Sequence, residues 1–184
     1  MTSQLFELRA TDFALASILW KRRLYACATF GQLILWPKPL ALDSSSFLRS
    51  GEGEFLLWAV CGAGKTEVVL SALAEAFARG DRVLLATPRR DVAADLALRA
   101  RAAFPDLSLA IHHGGRHEEE SPDPDLTVAT THQCLRFYRA FDLVVLDEVD
   151  AFPYHGNEML YFAVSRTGRP GGRAVYVTAT PPVE

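Results

Sequence analysis

Residues 55–69 read FLLWAVCGAGKTEVV, an apolar run that breaks into a short glycine-containing loop and then continues as a helix-compatible segment. Six consecutive apolar residues before the loop are typical of a strand buried in a parallel sheet. Gly62 and Gly64 let the backbone turn tightly, so that its N–H groups face an anion at the start of a helix. Lys65 is then placed to reach the β- and γ-phosphates of a nucleotide, and the Thr66 hydroxyl to hold Mg²⁺. The residues expected to contact the nucleotide are Ala59, Cys61, Gly62, Ala63, Gly64, Lys65, Thr66 and Glu67.

The composition describes an ordinary protein of the aqueous phase. At 184 residues the chain has room for one domain, or for one domain with an N-terminal extension. Hydrophobic residues make up 49% and the net charge is −3, so a nucleic-acid partner would need basic residues gathered on one face. Cys27, Cys61 and Cys134 are far apart and form no CxxC pair, which argues against a zinc site and against a disulfide framework.

The start of the chain carries charged residues and lacks the pattern of a signal peptide. The longest uncharged run near the N-terminus, residues 24–37, is too short to span a bilayer. We therefore expect a cytoplasmic protein without a transmembrane segment. Attachment to the inner face of the membrane through a partner stays open.

The chain divides into two parts of different pattern. Residues 1–50 predict an N-terminal extension that is partly helical, with a helix at 14–22 followed by a loop or a broken helix. In residues 51–184 short apolar runs alternate with helical patterns, which predicts an α/β domain, a mostly parallel sheet flanked by helices on both faces. The predicted strands lie at 55–60, 83–87, 107–111, 126–129, 143–146 and 174–177, and the predicted helices at 65–79, 91–103 (capped by Asp91), 131–139 and 157–165.

Polar motifs follow the predicted strands. They are CGAGKT, TPRR, HHGG, TTHQ, DEVD and TATP. Because parallel sheets bind ligands beyond the carboxyl ends of their strands, we expect these motifs to meet at one edge. The histidines of HHGG together with His117 suggest a metal, but glycines interrupt their spacing. Glutamates 118–120 are expected to lie in a solvated loop.

Asp147 and Glu148 follow at once after the apolar run at 143–146. Hydrolysis of a γ-phosphate needs a holder for the metal and a residue that orients the attacking water. Asp147 suits the first task and Glu148, one step further along, suits the second. The alternative is a pair of solvated acids that merely open a loop.

Three of these motifs resemble those of superfamily-2 helicases: AVCGAGKT matches the form AxxGxGKT, DEVD matches DExD, and TATP matches the TAT motif. The longer strings DEVDAFPY, RRDV and THQCLRFYRAFD resemble the ComFA-like competence helicases, which are motors of DNA uptake. The resemblance covers about residues 55–181. The primosomal replication-restart helicases carry similar motifs. This resemblance implies a RecA-like P-loop domain, the N-terminal lobe of such a motor.

The resemblance also implies roles for individual residues. Lys65, Asp147 and Glu148 match the catalytic groups, with Thr66 and Asp147 as the Mg²⁺ holders. Thr178 and Thr180 match the threonines that couple hydrolysis to DNA binding. Contacts with the DNA backbone are implied for Thr87, Pro88, Arg89, Arg90, Thr130 and Thr131. For the two arginines the alternative is an ordinary exposed start of a helix.

Three features of the resembled family are missing from this chain. It has no cysteine-rich zinc module ahead of the motor, and Gln32 is a poor match to the glutamine that selects adenine. It also ends before a second RecA-like lobe. That lobe is expected to supply an arginine finger, which accelerates hydrolysis by about 10³–10⁵-fold in related systems.

We therefore expect an ATP- and Mg²⁺-binding motor lobe of a DNA helicase or translocase, with single-stranded DNA as its partner. It would be weakly active without a second RecA-like lobe, and other DNA-uptake proteins are further candidate partners. Two alternatives stay open, a catalytically inert module that binds nucleotide and DNA, and a fragment of a replication-restart helicase. A P-loop kinase fits less well, because Glu148 beside Asp147 suits the activation of water.

Overall fold

The computed structural model describes residues 24–29, 32–37, 53–58, 65–114, 116–119 and 121–179. The strands are β1 Leu24–Thr29, β2 Gln32–Pro37, β3 Gly53–Trp58, β4 Val83–Thr87, β5 Leu109–His113, β6 Arg116–Glu119, β7 Leu126–Thr130, β8 Phe141–Leu146 and β9 Gly168–Thr178. The helices are α1 Lys65–Ala78, α2 Arg90–Ala103 and α3 Glu158–Ser165, with a 3₁₀ turn, η1, at Gln133–Arg136.

The described strands form one sheet in the order β2-β1-β3-β9-β8-β4-β7-β5-β6. Its six central strands, from β3 to β5 in this order, all run parallel. The outer strands β1, β2 and β6 are antiparallel to their neighbours. The predicted α/β architecture with a mostly parallel sheet is therefore confirmed.

Helices cover both faces of the sheet, and strand β4 shows why its sequence is apolar throughout. Val83 and Leu85 pack into a core cluster with side chains of α1 and α2. Leu84 and Ala86, which point the other way, pack into a second cluster with α3 and η1. A strand that is buried on both faces shows no alternation of polar and apolar residues.

Several predicted boundaries are confirmed. Strand β4 has the predicted limits, and α1 ends just before Gly80, whose φ of +76° suits the turn that terminates a helix. Helix α3 begins at Glu158, because the Asn157 side chain accepts a hydrogen bond from the Leu160 N–H. Strand β9 is longer than predicted and extends from Gly168 to Thr178.

Two helix predictions were wrong in detail. The helix predicted at 131–139 is only the 3₁₀ turn η1, since Phe137 is extended and Arg139 has a φ of +49°. The Arg139 N–H donates instead to the carbonyl of Arg166 after α3. Helix α2 begins at Arg90 with Arg89 as its N-cap residue, so Asp91 lies in the first turn and does not cap the helix.

The polar loop predicted after β5 was also wrong in part. Strand β5 begins two residues later than predicted, and β6 pairs with it antiparallel, with His112 opposite His117. Glu118 and Glu119 therefore lie in an edge strand. Charged residues are common on such strands because they discourage pairing with another chain.

The hairpin of β1 and β2, near the N-terminus, was not predicted from the sequence. This hairpin joins the sheet beside β3, where Ala28 lies opposite Leu56. The predicted helix at 14–22 lies outside the described residues. The division into residues 1–50 and 51–184 stays a prediction. Among the described helices, none has the length and apolar character that crossing a bilayer requires.

Candidate functional site

The carboxyl ends of the parallel strands bring the predicted motifs to one edge of the sheet. In the strand registers Thr87 lies beside Thr130, and Ala86 lies beside Leu146. Leu146 in turn lies beside Tyr176 of β9, two residues before Thr178. The loops after β4, β7, β8 and β9 therefore start from neighbouring positions.

Asp147 and Glu148 leave β8 in a constrained geometry. The Asp147 N–H donates to the carbonyl of Ala86 over 2.9 Å, and the Glu148 N–H donates to Asp147 Oδ1 over 2.9 Å. Glu148 has a φ of +56°, a conformation that is uncommon for a residue with a side chain. Such strain is frequent at functional sites.

Burial raises the pKa of Asp147 above its ordinary value, and the nearby charges of Glu148 and Asp150 act in the same direction. The hydrogen bond from the Glu148 N–H and the positive charge of Lys65 act against this rise. Lys65 therefore lies close enough to the Asp147 carboxylate for their charges to interact.

Lys65 and Thr66 are the first two residues of α1, and both side chains are half-buried. Glu67 follows in the first turn of the helix. A helix N-terminus presents backbone N–H groups and the positive end of its dipole, which suits the binding of an anion. The remaining predicted loop residues, Ala59, Cys61, Gly62, Ala63 and Gly64, lie outside the described residues.

The described side chains fit a hydrated Mg²⁺ bound together with phosphate. Glu148 Oε2 is buried and has no hydrogen-bond partner within the described part of the chain. No three His, Cys, Asp or Glu side chains of the described residues converge on a metal position. Mg²⁺ commonly takes only one or two protein ligands and completes its shell with phosphates and waters. Thr66 and Asp147 are donors of the required kind.

A second feature of the same edge is a cleft of about 420 Å³. It is bounded by the loops after β4, β5, β7 and β8. Its lining residues are Pro88, Arg90, Gly114, Thr130, His132, Gln133 and Pro153. Three of the predicted DNA-contacting residues, Pro88, Arg90 and Thr130, therefore line it together.

Two other predicted DNA-contacting residues, Thr87 and Thr131, are fully buried. Their hydroxyl groups have no hydrogen-bond partner among the described residues. Their backbones are joined, because the Thr131 N–H donates to the carbonyl of Thr87 over 3.0 Å. In this structure the two threonines hold the loops together and present no side chain at the surface.

The two neighbouring arginines have different environments. Arg89 is paired with Asp91 at 2.7 Å, and this hydrogen bond raises the pKa of Arg89 and lowers that of Asp91. Arg90 instead lies across Gly114 in the wall of the cleft. A Cβ atom on Gly114 would approach Arg90 Cδ to 3.0 Å, and the φ of Gly114 is +52°. The positive φ favours a glycine at this position, and any larger residue would also displace the Arg90 side chain.

Four of the lining residues, Gly114, His132, Gln133 and Pro153, were not predicted as site residues. All four belong to the motifs HHGG, TTHQ and DEVDAFPY. The position of these motifs after strands was the signal that could have found them. Which side chains face the cleft depends on loop conformation.

Thr178, one of the two predicted coupling residues, is fully buried at the end of β9. The Val149 N–H donates to the carbonyl of Val177 over 3.2 Å, so the loop that begins at Glu148 is bonded to the end of β9. Thr180, the other predicted residue, lies outside the described residues.

Comparison with known proteins gives one family. Residues 43–184 match the DEAD/DEAH box helicases. The chain is 44% identical over 135 residues to the competence protein ComFA of Bacillus subtilis strain 168, a stretch that covers 73% of this chain and 29% of that protein. It is 46% identical over 125 residues to the competence protein ComFA of Streptococcus pneumoniae, a stretch that covers 68% of this chain and 28% of that protein. The chain thus spans less than a third of the length of these relatives.

Two solved structures resemble the fold, each with a TM-score of 0.60, 20% identity and 78% of this chain covered. One is the SWI2/SNF2 ATPase core of Sulfolobus solfataricus in complex with double-stranded DNA, of which 32% is covered. The other is a hypothetical ATP-dependent RNA helicase from Sulfolobus tokodaii, of which 46% is covered. The likeness establishes the fold and confirms the predicted RecA-like domain.

Proposed function

The chain belongs to the DEAD/DEAH box helicase family, and from that premise we propose that it is the ATP-binding motor lobe of a DNA helicase or translocase. The substrate we propose is single-stranded DNA taken up during natural transformation. The identity of 44–46% to proteins named competence protein ComFA supports this choice. A fragment of a replication-restart helicase is the alternative within the same class.

One observation carries the nucleotide half of the proposal. Lys65, at the start of α1, lies close enough to the half-buried Asp147 at the end of β8 for their charges to interact. A cation at a helix N-terminus near a half-buried carboxylate fits a phosphate group and its Mg²⁺ ion. In this proposal Lys65 binds the phosphates, and Thr66 and Asp147 hold the ion, which would neutralise charge on the phosphates when it is bound.

Glu148 is the residue that we propose to orient the attacking water. Its Oε2 atom is buried and has no partner among the described residues, so it is available to accept a hydrogen bond from a water. Its backbone is fixed through the hydrogen bond to Asp147 Oδ1. A carboxylate held in this way can polarise a water without first breaking another contact.

The cleft beside the nucleotide site is the proposed path of the strand. Arg90 offers a guanidinium for a phosphate, and Thr130, His132 and Gln133 offer further polar groups along the same lining. Contacts of this kind bind the phosphate backbone of DNA and do not distinguish one base sequence from another. We propose weak, salt-sensitive binding by this lobe, because a half-site makes few phosphate contacts.

Turnover should depend on a second RecA-like lobe. Such a lobe would supply the arginine that stabilises the transferred phosphoryl group and the other half of the DNA grip. Without it, the chain would act as a module that binds nucleotide and DNA with little hydrolysis. Other proteins of DNA uptake are further candidate partners.

The test is the rate of ATP hydrolysis with and without single-stranded DNA. It should be measured for this chain and for a longer protein that continues past Glu184 into a second lobe. We expect slow turnover by the chain alone and DNA-stimulated turnover by the longer protein. Glu148→Gln should then lower the rate of the longer protein by about 10²–10⁴-fold. Asp106→Asn, an exposed acid in the turn after α2, is the control and should change it little.

Two results would contradict the proposal. One is a rate that single-stranded DNA does not alter in the longer protein. The other is a Glu148→Gln variant that hydrolyses ATP as fast as the Asp106→Asn control. A chain that binds nucleotide and DNA but never hydrolyses ATP, even with the second lobe, would favour the inert module.

A further inference from the structure

Phe152 is 86% exposed, the highest value among the large hydrophobic residues of the described part of the chain. A single exposed aromatic residue is ordinary on a protein surface. The position of Phe152 is unusual, because the next residue, Pro153, forms part of the wall of the cleft. Phe152 therefore lies at the rim of the proposed DNA path.

The turn that carries Phe152 is held in place at both ends. The Tyr154 N–H donates to the carbonyl of Ala151 over 3.0 Å, which puts Phe152 and Pro153 at the centre of the turn. The Ala151 N–H donates to the carbonyl of Glu148, also over 3.0 Å. The turn is thus bonded to the loop that starts at the acid pair.

Aromatic packing against α3 also holds the turn in place. Tyr154 is buried, and its ring packs edge-to-face against Tyr161 of α3 with 4.8 Å between the ring centroids. The Tyr161 hydroxyl accepts a hydrogen bond from the Gly156 N–H, which fixes the other end of the loop. Tyr154 therefore packs in the interior, whereas Phe152 is exposed to solvent on a turn whose backbone is held in place by hydrogen bonds.

The cleft and the rim supply complementary chemistry. Arg90, His132 and Gln133 offer polar groups suited to phosphates. Phe152 offers a flat apolar surface beside them. A single strand has both parts, a charged backbone and unpaired bases whose faces stack on aromatic side chains whatever their sequence.

We propose that Phe152 is a stacking site for a nucleobase of the strand whose backbone lies in the cleft. The proposal rests on the proposed function of the cleft in binding single-stranded DNA. It adds a contact with the bases to a lobe that otherwise grips only the backbone. Loss of one such stacking contact lowers affinity by about 5- to 150-fold.

The experiment compares an oligothymidine with an abasic oligonucleotide of the same length, which keeps the phosphates but has no bases. Binding of each to this chain is measured by fluorescence anisotropy for the wild type, Phe152→Ala and Phe152→Trp. Leu98→Ala is the matched control, because Leu98 is 69% exposed and belongs to α2. Thermal unfolding of each variant is recorded as well.

We expect Phe152→Ala to weaken binding of the oligothymidine by about 5- to 150-fold and to leave binding of the abasic strand unchanged. Phe152→Trp should restore the affinity, and Leu98→Ala should alter neither strand. The salt dependence should be the same in all variants, since no phosphate contact is lost.

The outcomes separate the two proposals. If the wild type binds neither strand, the function proposed for the cleft is wrong and the stacking site is wrong with it. If the wild type binds the oligothymidine and Phe152→Ala binds it equally well, only the stacking site is overturned, and the ring belongs to another surface, such as a protein contact. Equal weakening on both strands would also overturn stacking, because the abasic strand has no base to lose.

Discussion

The backbone N–H of Thr131 donates a hydrogen bond to the carbonyl oxygen of Thr87 over 3.0 Å. This bond joins the first residue after β7 to the last residue of β4, next to Thr130 and to the TPRR motif that contains Arg90, and both of these residues line the cleft. The hydroxyl groups of Thr87 and Thr131 are not part of this connection. They are buried, without a hydrogen-bond partner among the described residues.

Thr131→Val should therefore leave the cleft intact. Valine keeps the shape and the backbone N–H, and it removes a buried hydroxyl whose lost hydration costs about 1–3 kcal/mol. We expect the free energy of unfolding to rise by roughly 1 kcal/mol and the affinity for single-stranded DNA to stay the same. Thermal unfolding and fluorescence anisotropy measure the two quantities. A clear loss of DNA affinity would mean that the Thr131 hydroxyl turns outward to reach a phosphate in the complex.

The two arginines after β4 should contribute unequally to DNA binding. Arg90→Ala removes a guanidinium from the cleft, whereas Arg89→Ala removes one that is already paired with Asp91 at 2.7 Å. We expect Arg90→Ala to weaken binding on all sequences and to flatten the dependence on log salt by about 0.7, as for one lost contact. Arg89→Ala should have a smaller effect. Anisotropy titrations at several salt concentrations test this, and equal effects of the two variants would refute the assignment.

Gly114→Ala should disturb Arg90 through a steric contact. The added Cβ would lie 3.0 Å from Arg90 Cδ, and the φ of +52° is unfavourable for alanine. Gly80→Ala is the matched control, because Gly80 has a φ of +76° and nothing within 4 Å of the added atom. We expect both variants to lose about 1 kcal/mol of stability, and only Gly114→Ala to weaken DNA binding. The same loss of DNA affinity in both variants would show that backbone strain alone is responsible.

The pH dependence of stability should reflect Asp142, which lies near the start of β8, at the end of the strand away from Asp147. Burial pushes the pKa of Asp142 up, but hydrogen bonds from the Arg82 N–H and from Arg169 outweigh it, so the net shift is below the ordinary value of 3.8. A lowered pKa contributes stability that is present at neutral pH and lost as the pH falls through the folded-state value.

Asp142→Asn should thus lower the free energy of unfolding by roughly 1 kcal/mol at pH 7, a figure that allows for solvent screening of the exposed Arg169 pair. Below about pH 4 the difference should shrink, because the carboxylate is protonated first in the unfolded chain and, at still lower pH, in the folded protein. Urea unfolding at a series of pH values measures this, with the exposed Asp106→Asn as control. A deficit that does not change with pH would rule out the carboxylate charge as its cause.

The central strands could be predicted from the sequence because they are buried on both faces. An uninterrupted apolar run as short as that of β4 is typical of a strand with helices packed on both sides. The hairpin of β1 and β2 was missed because no Asn-Gly or Asp-Gly pair separates its strands in the sequence. The helix predicted at 131–139 was lost to tertiary contacts, since the backbone of Arg139 bonds to Arg166 and leaves the helical path.

The site was predictable to the level of motifs. The position of a motif directly after a predicted parallel strand indicates that its loop lies at the carboxyl ends of the strands. This position predicted that Asp147 and Arg90 lie at the same edge of the sheet. It does not indicate which side chain of a loop faces outward. Thr87 and Arg90 belong to one motif, TPRR, yet one is fully buried and the other lines the cleft. The ion pair of Arg89 with Asp91 likewise depends on where α2 begins.

The most direct measurement is a calorimetric titration of the chain with Mg·ADP, for the wild type, Lys65→Ala and the control Arg99→Ala. Arg99 lies on the exposed face of α2, in a pair with Asp95. We predict that the wild type and Arg99→Ala bind Mg·ADP and that Lys65→Ala, folded to the same extent by circular dichroism, shows no measurable heat of binding. Equal affinity of Lys65→Ala and the wild type for Mg·ADP would contradict the claim that the start of α1 and the end of β8 form a nucleotide site.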